Sequence, residues 1–495
     1  MNKAVIIQNG IRRVISFSAP QFLNALLPDQ PQPCGGKGFC GHCRVRVRGR
    51  VSAPTEAESA RLTSSQLADG IRLACQTQAL GDVTITVRGQ AQTFKASTHD
   101  VPIQKPLGTR FGFAIDLGTT TLYTALYDLK TGTRCGEASA ANPQTHWGAD
   151  VLSRLEQAMN GHQNELSRRI RHALFDLCAQ LLIGAHLAPS DVDAAVLVGN
   201  TAMLYLLFDL NPSSISCAPF RCETLFGAFY AADFLPVRAG TKVFVPRCIS
   251  AFLGADTVAA ALFSGMQRTD SRILADLGTN GEILLRAGNK LYGCSCAAGP
   301  AFEGVGLECG MPYTDGAVCS AFLSGGQLIY KTCANAAPAG ICGSGYTDWI
   351  ACLRKTGDLQ KDGTLKSTRV YLTHTPLYIT QKDVRAFQLA KSAVRTAIEI
   401  LLDRSGGAEI HALDIAGSFG ASLRVRSAAA IGLVPPQLLC VTHAVGNAAA
   451  AGAAMLLLDD TLPQTAADLA AQVEPVSLAD QPDFQDRLCQ NLSLE

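Results

Sequence analysis

The apolar residues of this 495-residue chain change rhythm part-way along. Up to residue 88 they come in short runs broken by turn residues. Ala4-Val-Ile-Ile7 and Val14-Ile-Ser-Phe17 flank Asn9-Gly10, the strongest short hairpin signal, so residues 3–17 predict two antiparallel strands. A short helix is predicted around Gln21–Leu26. Arg44, Arg46, Arg48 and Arg50 alternate with Val45, Val47 and Gly49, which puts four arginines on one face of a strand. Thr55-Glu-Ala-Glu58 opens a helical stretch, and Val83-Thr-Ile-Thr-Val87 ends the region as a strand. Gly89 to Arg110 is polar, holds Pro102 and Pro106 and has no period, so it reads as a linker.

From Phe111 onward the chain repeats itself. Phe113-Ala-Ile-Asp116-Leu-Gly118-Thr119-Thr120-Thr121 aligns with Ile273-Leu-Ala-Asp276-Leu-Gly278-Thr279-Asn280-Gly281-Glu282. Each is an apolar strand, an aspartate, a Gly-Thr turn and the start of a second apolar strand. Ala195-Val-Leu-Val-Gly199-Asn200-Thr201 echoes Ala412-Leu-Asp-Ile-Ala416-Gly417-Ser418-Phe-Gly420. Repeats of this length imply two similar α/β halves, residues 111–265 and 266–495, the second with a C-terminal return segment. Thr380-Gln-Lys-Asp383 is a capping box, opening a helix with Val384, Phe387, Ala390, Val394, Ile398 and Leu401 on one stripe. Gly406-Gly407 ends it, and the stripe predicts core. Asp150 starts another amphipathic helix, where its carboxylate either caps the helix or orients an attacking water.

The repeated turns carry chemistry. Glycine and hydroxyl residues in a hairpin turn offer N–H and O–H donors that cradle phosphate oxygens. An aspartate at the strand end, Asp116 or Asp276, can hold Mg²⁺ or its water shell. Two such hairpins grip a polyphosphate from opposite sides. Gly417 and Gly420 after a buried strand let backbone approach a nucleoside closely.

The first 88 residues point to a different chemistry. Cys34, Cys40 and Cys43 lie in a glycine-rich loop, and Cys75 follows after 31 intervening residues. This C-x5-C-x2-C…C set suits a [2Fe–2S] cluster, close to the plant-type C-x4-C-x2-C spacing. Structural zinc draws its ligands from two short pairs, and Cys34 and Cys75 form none. The chain has 18 cysteines and no signal-like N-terminal apolar stretch, which predicts free thiols or metal ligands in a cytoplasmic protein. The longest small apolar run, Ala448 to Leu458, is 11 residues, too short to span a bilayer.

The net charge of +1 conceals an asymmetry. Residues 1–88 hold 11 Lys/Arg against 5 Asp/Glu, or +6; the remainder holds 31 against 36, or −5. The arginine strand reads as a solvated edge protected by charge, with a docking face for an acidic partner as the alternative. No aromatic residues interleave these arginines, so a nucleic-acid surface is not predicted.

Strand, helix and cysteine order in residues 1–88 resemble an α+β ferredoxin β-grasp domain. The repeat is similar to the actin/heat-shock chaperone/sugar-kinase (ASKHA) superfamily, a two-lobed α/β, ribonuclease H-like ATPase fold. Together the two resemble the reductive activators of corrinoid proteins, the RACo and RamA-like reductases. Further stretches carry that resemblance: Asn142-Pro-Gln, Gly148-Ala-Asp150-Val-Leu-Ser-Arg154, Phe252-Leu-Gly-Ala-Asp256-Thr257, Ala297-Ala-Gly299-Pro-Ala-Phe-Glu303, Gly340-Ile-Cys-Gly343-Ser-Gly345 and Val445-Gly-Asn447. The resemblance implies bound ATP and Mg²⁺ beside the [2Fe–2S] cluster. Nucleotide contacts would come from Gly118, Thr119, Thr120, Gly199, Asn200, Gly278, Thr279, Asn280, Gly299, Gly343, Gly417, Ser418 and Gly420, with Asp116, Asp150 and Asp276 in catalytic roles. It also implies ATP-dependent electron transfer to the Co(II) corrinoid of a methyltransferase corrinoid protein, fed by an upstream low-potential donor. No nucleic acid or membrane partner is implied, and a homodimer is left open. The alternatives are an activator of another low-potential metalloenzyme and a small-molecule kinase of the same superfamily. Longer relatives place a middle domain between cluster and ATPase, for which the 22 residues 89–110 leave no room.

Overall fold

The computed structural model describes residues 2–8, 11–27, 38, 43–87, 101–148, 150–420 and 422–494. Strands β1 (Asn2–Gln8) and β2 (Ile11–Phe17) pair antiparallel from Asn2↔Phe17 to Gln8↔Ile11; the Asn9-Gly10 turn lies outside the described residues. Gln21–Phe22 form a short strand, β3, and only Leu23–Leu26 are helical. With β4 (Arg44–Val51), β5 (Ile71–Leu73) and β6 (Gln78–Val87) they make a six-stranded sheet in the order β2-β1-β6-β4-β5, with β3 on β6. Ala4, Ile6, Val45, Val47, Val83 and Ile85 face one side and close a core with Leu23, Leu26 and Leu62. The arginine strand β4 is not the expected edge. It is hydrogen-bonded to β6 on one side and to β5 along Arg44–Arg46 on the other. The alternation of charge reported one solvated face, and a solvated face does not distinguish an edge strand from an interior one.

A buried charge pair fastens this small domain. Glu58, in the helix Glu56–Ser59 opened by the Thr55 capping box, has no exposed surface. Arg72 meets it with two hydrogen bonds of 2.9 and 2.8 Å, and the Thr77 hydroxyl and Leu73 N–H donate to the same carboxylate at 2.8 and 3.0 Å. Burial pushes the Glu58 carboxyl up, but the guanidinium and the other donors outweigh it and hold the group below its ordinary range.

Residues 101–110, the end of the stretch read as a linker, lie against the next domain. Gln104 and Leu107 N–H groups donate to the carbonyls of Leu458 and Leu457 at 3.1 and 3.0 Å, and Val101, Ile103 and Leu107 pack on the adjoining core. Three apolar residues among ten are too few to show a period, which is why the segment reads as unstructured.

The remainder forms two lobes with matching sheets. Lobe I orders its strands β11-β12-β10-β7-β8-β9, where β7 is Phe111–Leu117, β8 Thr121–Asp128, β9 Arg134–Ala141, β10 Val192–Gly199, β11 Phe226–Ala231 and β12 Lys242–Arg247. Lobe II orders them β22-β21-β13-β14-β15-β23. Here β13 is Arg272–Leu277, β14 Gly281–Ala287, β15 Lys290–Cys296, β21 Ala412–Ala416, β22 Thr442–Gly446 and β23 Val473–Pro475. The antiparallel hairpins β7–β8 and β13–β14 sit at equivalent places, each beside a parallel strand, β10 or β21. A three-stranded sheet (β16 Ala317–Ser324, β17 Gln327–Thr332, β18 Gly340–Ile341) and the hairpin β19 (Arg369–Tyr371) and β20 (Tyr378–Thr380) extend lobe II.

The helix Gln381–Asp403 starts at the Thr380 capping box and buries the whole predicted stripe from Val384 to Leu401. Its five larger side chains, Val384, Phe387, Val394, Ile398 and Leu401, each contribute about 1.5–3 kcal/mol on burial, an upper estimate because the unfolded chain already buries some of that area. The apolar run Ala448–Leu458 is a helix that returns to lobe I, where it lies against the helix Ala255–Phe263, β7 and β10. Apolar all round, it is buried at every position except the half-buried Met455. Among the described residues no helix is long and apolar enough to cross a membrane.

Candidate functional site

The two Gly-Thr turns meet tip to tip between the lobes. Gly118, Thr119 and Thr120 join β7 to β8, and Gly278, Thr279 and Asn280 join β13 to β14. The Thr120 and Thr279 hydroxyl oxygens are 3.2 Å apart, and both hydroxyls donate to one carboxylate oxygen of Glu303, at 3.0 and 3.1 Å. Asn142 ties the first turn down, its amide donating to the Gly118 carbonyl at 2.9 Å. The cleft is lined by Thr120, Thr121, Phe302, Glu303, Gly343 and Phe419.

Carboxylates cluster behind the turns. Asp116 and Asp276 end β7 and β13, and Asp256 opens the helix Ala255–Phe263. Burial pushes Asp116 up to about 6, against an opposing hydrogen bond from the Asn447 amide at 2.9 Å. Asp256 rises to about 7 through burial and the charge of Asp116. Asp276 rises to about 7 through burial and the charges of Asp256 and Asp116. Glu282 is pushed well above its ordinary value by burial and its acidic neighbours. Such mutually repelling acids are a ready counter-charge for a cation. Among the described residues no three His, Cys, Asp or Glu side chains converge as a metal cage. A Mg²⁺ ion that keeps its waters and takes one or two carboxylates needs no such cage, so the donor set fits one.

Arg154 supplies the positive charge. It has no exposed surface, and its Nε donates to the Gly148 carbonyl at 3.0 Å while Nη2 has no partner among the described residues. Burial lowers its pKa to about 10, opposed by the charges of Asp150 and Glu303. Glu303 in turn is raised by burial and lowered by the two threonine hydroxyls and Arg154.

Close backbone approach explains two glycines. A Cβ on Gly343 would sit 1.8 Å from the Phe302 carbonyl oxygen, so the helix Gly343–Thr356 abuts the residue before Glu303. Gly417 adopts φ +91°, and a Cβ there would lie 2.4 Å from the Leu277 oxygen and 2.9 Å from the Asp276 carboxylate. Gly299 precedes the 3₁₀ turn Pro300–Glu303. Gly199 ends β10, and Asn200 caps the next helix, accepting from the Ala202 N–H at 3.1 Å. Gly420 closes the short turn after β21, and the Ser418 side chain lies outside the described residues. Asp150 caps the helix Val151–Gln157, with one oxygen accepting from the Ser153 N–H and the other from the Ser153 hydroxyl, both at 2.8 Å. Arg154, Asp256, Glu282 and Glu303 received no role from the sequence, although each lies in a stretch that carried the repeat or the resemblance.

In the small domain the Cys43 and Cys75 sulfurs approach to 3.2 Å in the core, brought together from positions 32 apart. Cys34 and Cys40 lie outside the described residues. Two buried thiols converging next to the glycine-rich loop fit a shared iron cluster.

Fold and site define a class: a ferredoxin-like 2Fe–2S domain joined to a two-lobed ASKHA domain. Residues 6–80 match the 2Fe–2S iron–sulfur cluster binding domain, 111–269 the RACo middle region, and 270–495 the C-terminal ASKHA domain of RACo. The chain belongs to the RACo family. The middle region thought to be missing is therefore present, as lobe I rather than as an insertion before it. A "Corrinoid activation enzyme RamQ" from Eubacterium limosum is 34% identical over 72% of this chain and 65% of its own length. A "[Co(II) methylated amine-specific corrinoid protein] reductase" from Methanosarcina barkeri is 24% identical over 70% of each chain. A solved "Reductive activator for corrinoid,iron-sulfur protein" shares the fold, with TM-score 0.74 and 23% identity over 99% of this chain and 98% of its own.

Proposed function

We propose that this protein is an ATP-dependent reductive activator, delivering one electron to the Co(II) corrinoid of a methyltransferase corrinoid protein and restoring Co(I). The observation that carries the reading is the bridge of Thr120, Thr279 and Glu303 across the two lobes, in a chain that also holds a cluster domain. Cys34, Cys40, Cys43 and Cys75 would hold the [2Fe–2S] cluster, which supplies a low-potential electron, near −400 mV for plant-type ferredoxins as an order-of-magnitude guide.

The residues of the cleft bind and orient nucleotide. Thr119, Thr120, Thr279 and Asn280 with the turn N–H groups donate to phosphate oxygens, and Gly417–Gly420 admits the nucleoside. Asp116 and Asp276, with Asp256 beside them, would hold Mg²⁺, which would supply counter-charge to the phosphates. Arg154 presents a desolvated N–H toward charge at Glu303. Asp150 positions Arg154 by capping the helix that carries it. Nucleotide closes the lobes around itself, and that two-state element biases the complex with the acceptor. ATP is needed because each ~59 mV of unfavourable one-electron gap costs tenfold at equilibrium.

The test is visible spectroscopy of a cognate Co(II) corrinoid protein with reduced activator. ATP-stimulated appearance of Co(I), abolished by Cys40→Ser, supports the reading. Phosphoryl transfer to a small acceptor that survives Cys40→Ser sinks it in favour of a kinase.

A further inference from the structure

Among the described residues a two-pronged ion pair joins the cluster domain to lobe II, and the loop that makes it also reaches the nucleotide cleft. Arg61 follows the helix Glu56–Ser59, and its Nη1 and Nη2 meet the Glu308 carboxylate at 2.7 and 3.3 Å. Nη1 also approaches the Glu308 carbonyl at 3.4 Å. The side chains are 14% and 22% exposed, so the pair is better shielded from water and salt than a surface contact. Five residues earlier, Glu303 takes both threonine hydroxyls.

The segment between them is tightly folded. Gly304 lies in the left-handed region at φ +74°, its N–H donates to the Ala301 carbonyl at 3.0 Å, and Gly310 folds back onto the Gly304 carbonyl so closely that a Cβ would lie 2.1 Å from it. At the far end the Met311 N–H donates to the Ile341 carbonyl at 2.9 Å and the Ile341 N–H to the Cys309 carbonyl at 2.8 Å. Glu308 is held at its N–H by the Asp383 carboxylate at 2.7 Å. On the other side, Glu58 fastens the helix that precedes Arg61 to Leu73 and Thr77, which flank Cys75. One chain of contacts therefore runs from a cluster cysteine to both Gly-Thr turns.

We propose that Arg61 and Glu308 are positioning residues for the electron transfer: the turn Glu303–Gly310 couples nucleotide occupancy to seating of the cluster domain, so that nucleotide unseats it. The sign follows from the donors. A phosphate in the cleft needs the Thr120 and Thr279 hydroxyls that Glu303 now holds, and two anions do not share them. Glu303 gives way, and the folded turn passes that shift to the Glu308 side chain, which loosens from Arg61 while its backbone stays anchored. Coupling is reciprocal, so breaking the ion pair raises nucleotide affinity.

This rests on the nucleotide reading above, and the test separates the two. Binding of the non-hydrolysable analogue Mg·AMP-PNP is measured by calorimetry, and molecular dimensions by small-angle X-ray scattering, on the cluster-loaded full chain. Arg61→Glu is expected to be expanded without nucleotide and to bind the analogue about fivefold tighter or more. Wild type is expected to expand on adding it, and Arg61→Glu with Glu308→Arg to recover the wild-type dimensions and affinity. Binding to wild type with no change in dimensions and equal affinity in Arg61→Glu overturns the coupling alone. So does failure of the reversed pair to restore either property. No binding at all overturns the nucleotide reading and the coupling with it.

Discussion

Arg72→Met isolates the interaction that holds the cluster domain's helix against its last cysteine. Arg72 is 5% exposed and Glu58 0%, and the substitution leaves the carboxylate buried with only neutral donors from Thr55, Leu73 and Thr77. Stranding one member of a buried pair costs about 3–5 kcal/mol, a large share of the ~5–15 kcal/mol that holds a domain folded. The pH dependence identifies the mechanism. In the wild type the Glu58 group lies below its ordinary value of 4.5, so its contribution is complete above that value and is lost as pH falls below it. In the variant burial is no longer opposed by the guanidinium, so the group rises and takes up a proton in the folded state. Its penalty then shrinks by about 1.4 kcal/mol per unit of pH below the new value. Denaturant unfolding of the full chain, followed by cluster absorbance at pH 8 and pH 6, reads both effects. Adding Glu58→Gln to the variant keeps an acceptor for Leu73 and Thr77 and should recover most of the loss at pH 8. A penalty below about 1 kcal/mol, or one that is equal at the two pH values, refutes the account.

Glu303→Gln keeps an acceptor for Thr120 and Thr279 but removes an anion facing the phosphates, so Mg·AMP-PNP should bind about fivefold tighter or more by calorimetry. Unchanged affinity places Glu303 away from the phosphates. Asp116 at about 6, with Asp256 and Asp276 at about 7, lies above the ordinary 3.8, so the folded lobes hold protons that the unfolded chain has lost. Ligand-free stability therefore falls as pH rises from about 4 through 7, and the rise in melting temperature given by Mg·AMP-PNP should be larger at pH 8 than at pH 6. Equal shifts would mean that these acids do not face the cation. Gly452→Ala puts a Cβ 2.0 Å from the Ala259 carbonyl, where two helices touch backbone to backbone. Overpacking of ~1–3 kcal/mol should lower the melting temperature of lobe I by about 2–12 °C, read by calorimetry.

What the sequence revealed and what it hid divide by distance along the chain. A hairpin is contiguous, so Asp116 to Thr121 and Asp276 to Gly281 announce their turns and their donors within six residues. The Thr380 capping box and the stripe from Val384 to Leu401 are legible for the same reason. Glu303 is 183 residues from Thr120 and Arg61 is 247 from Glu308, and nothing local marks either pairing. Arg44–Arg50 shows the limit in another form: alternation revealed a wet face, while the partner strands that make β4 interior come from residues 71–73 and 78–87.

The return helix Ala448–Leu458 joins the local and the distant signals. Its composition fixed only that it is apolar all round and too short for a bilayer; full burial follows, but not where. The place is set at its first turn. Asn447 caps the helix, its Oδ1 accepting from the Ala450 N–H at 2.9 Å, which leaves Nδ2 to donate to Asp116 at 2.9 Å. The cap thus fixes which way the amide points, and that orientation favours the charged form of Asp116 against the burial that raises it. A residue 331 positions away tunes the carboxylate that the first hairpin presents. The carboxylate was visible in the sequence, Asn447 only as part of a stretch that carried the resemblance, and the fold alone makes it a cap and joins the two.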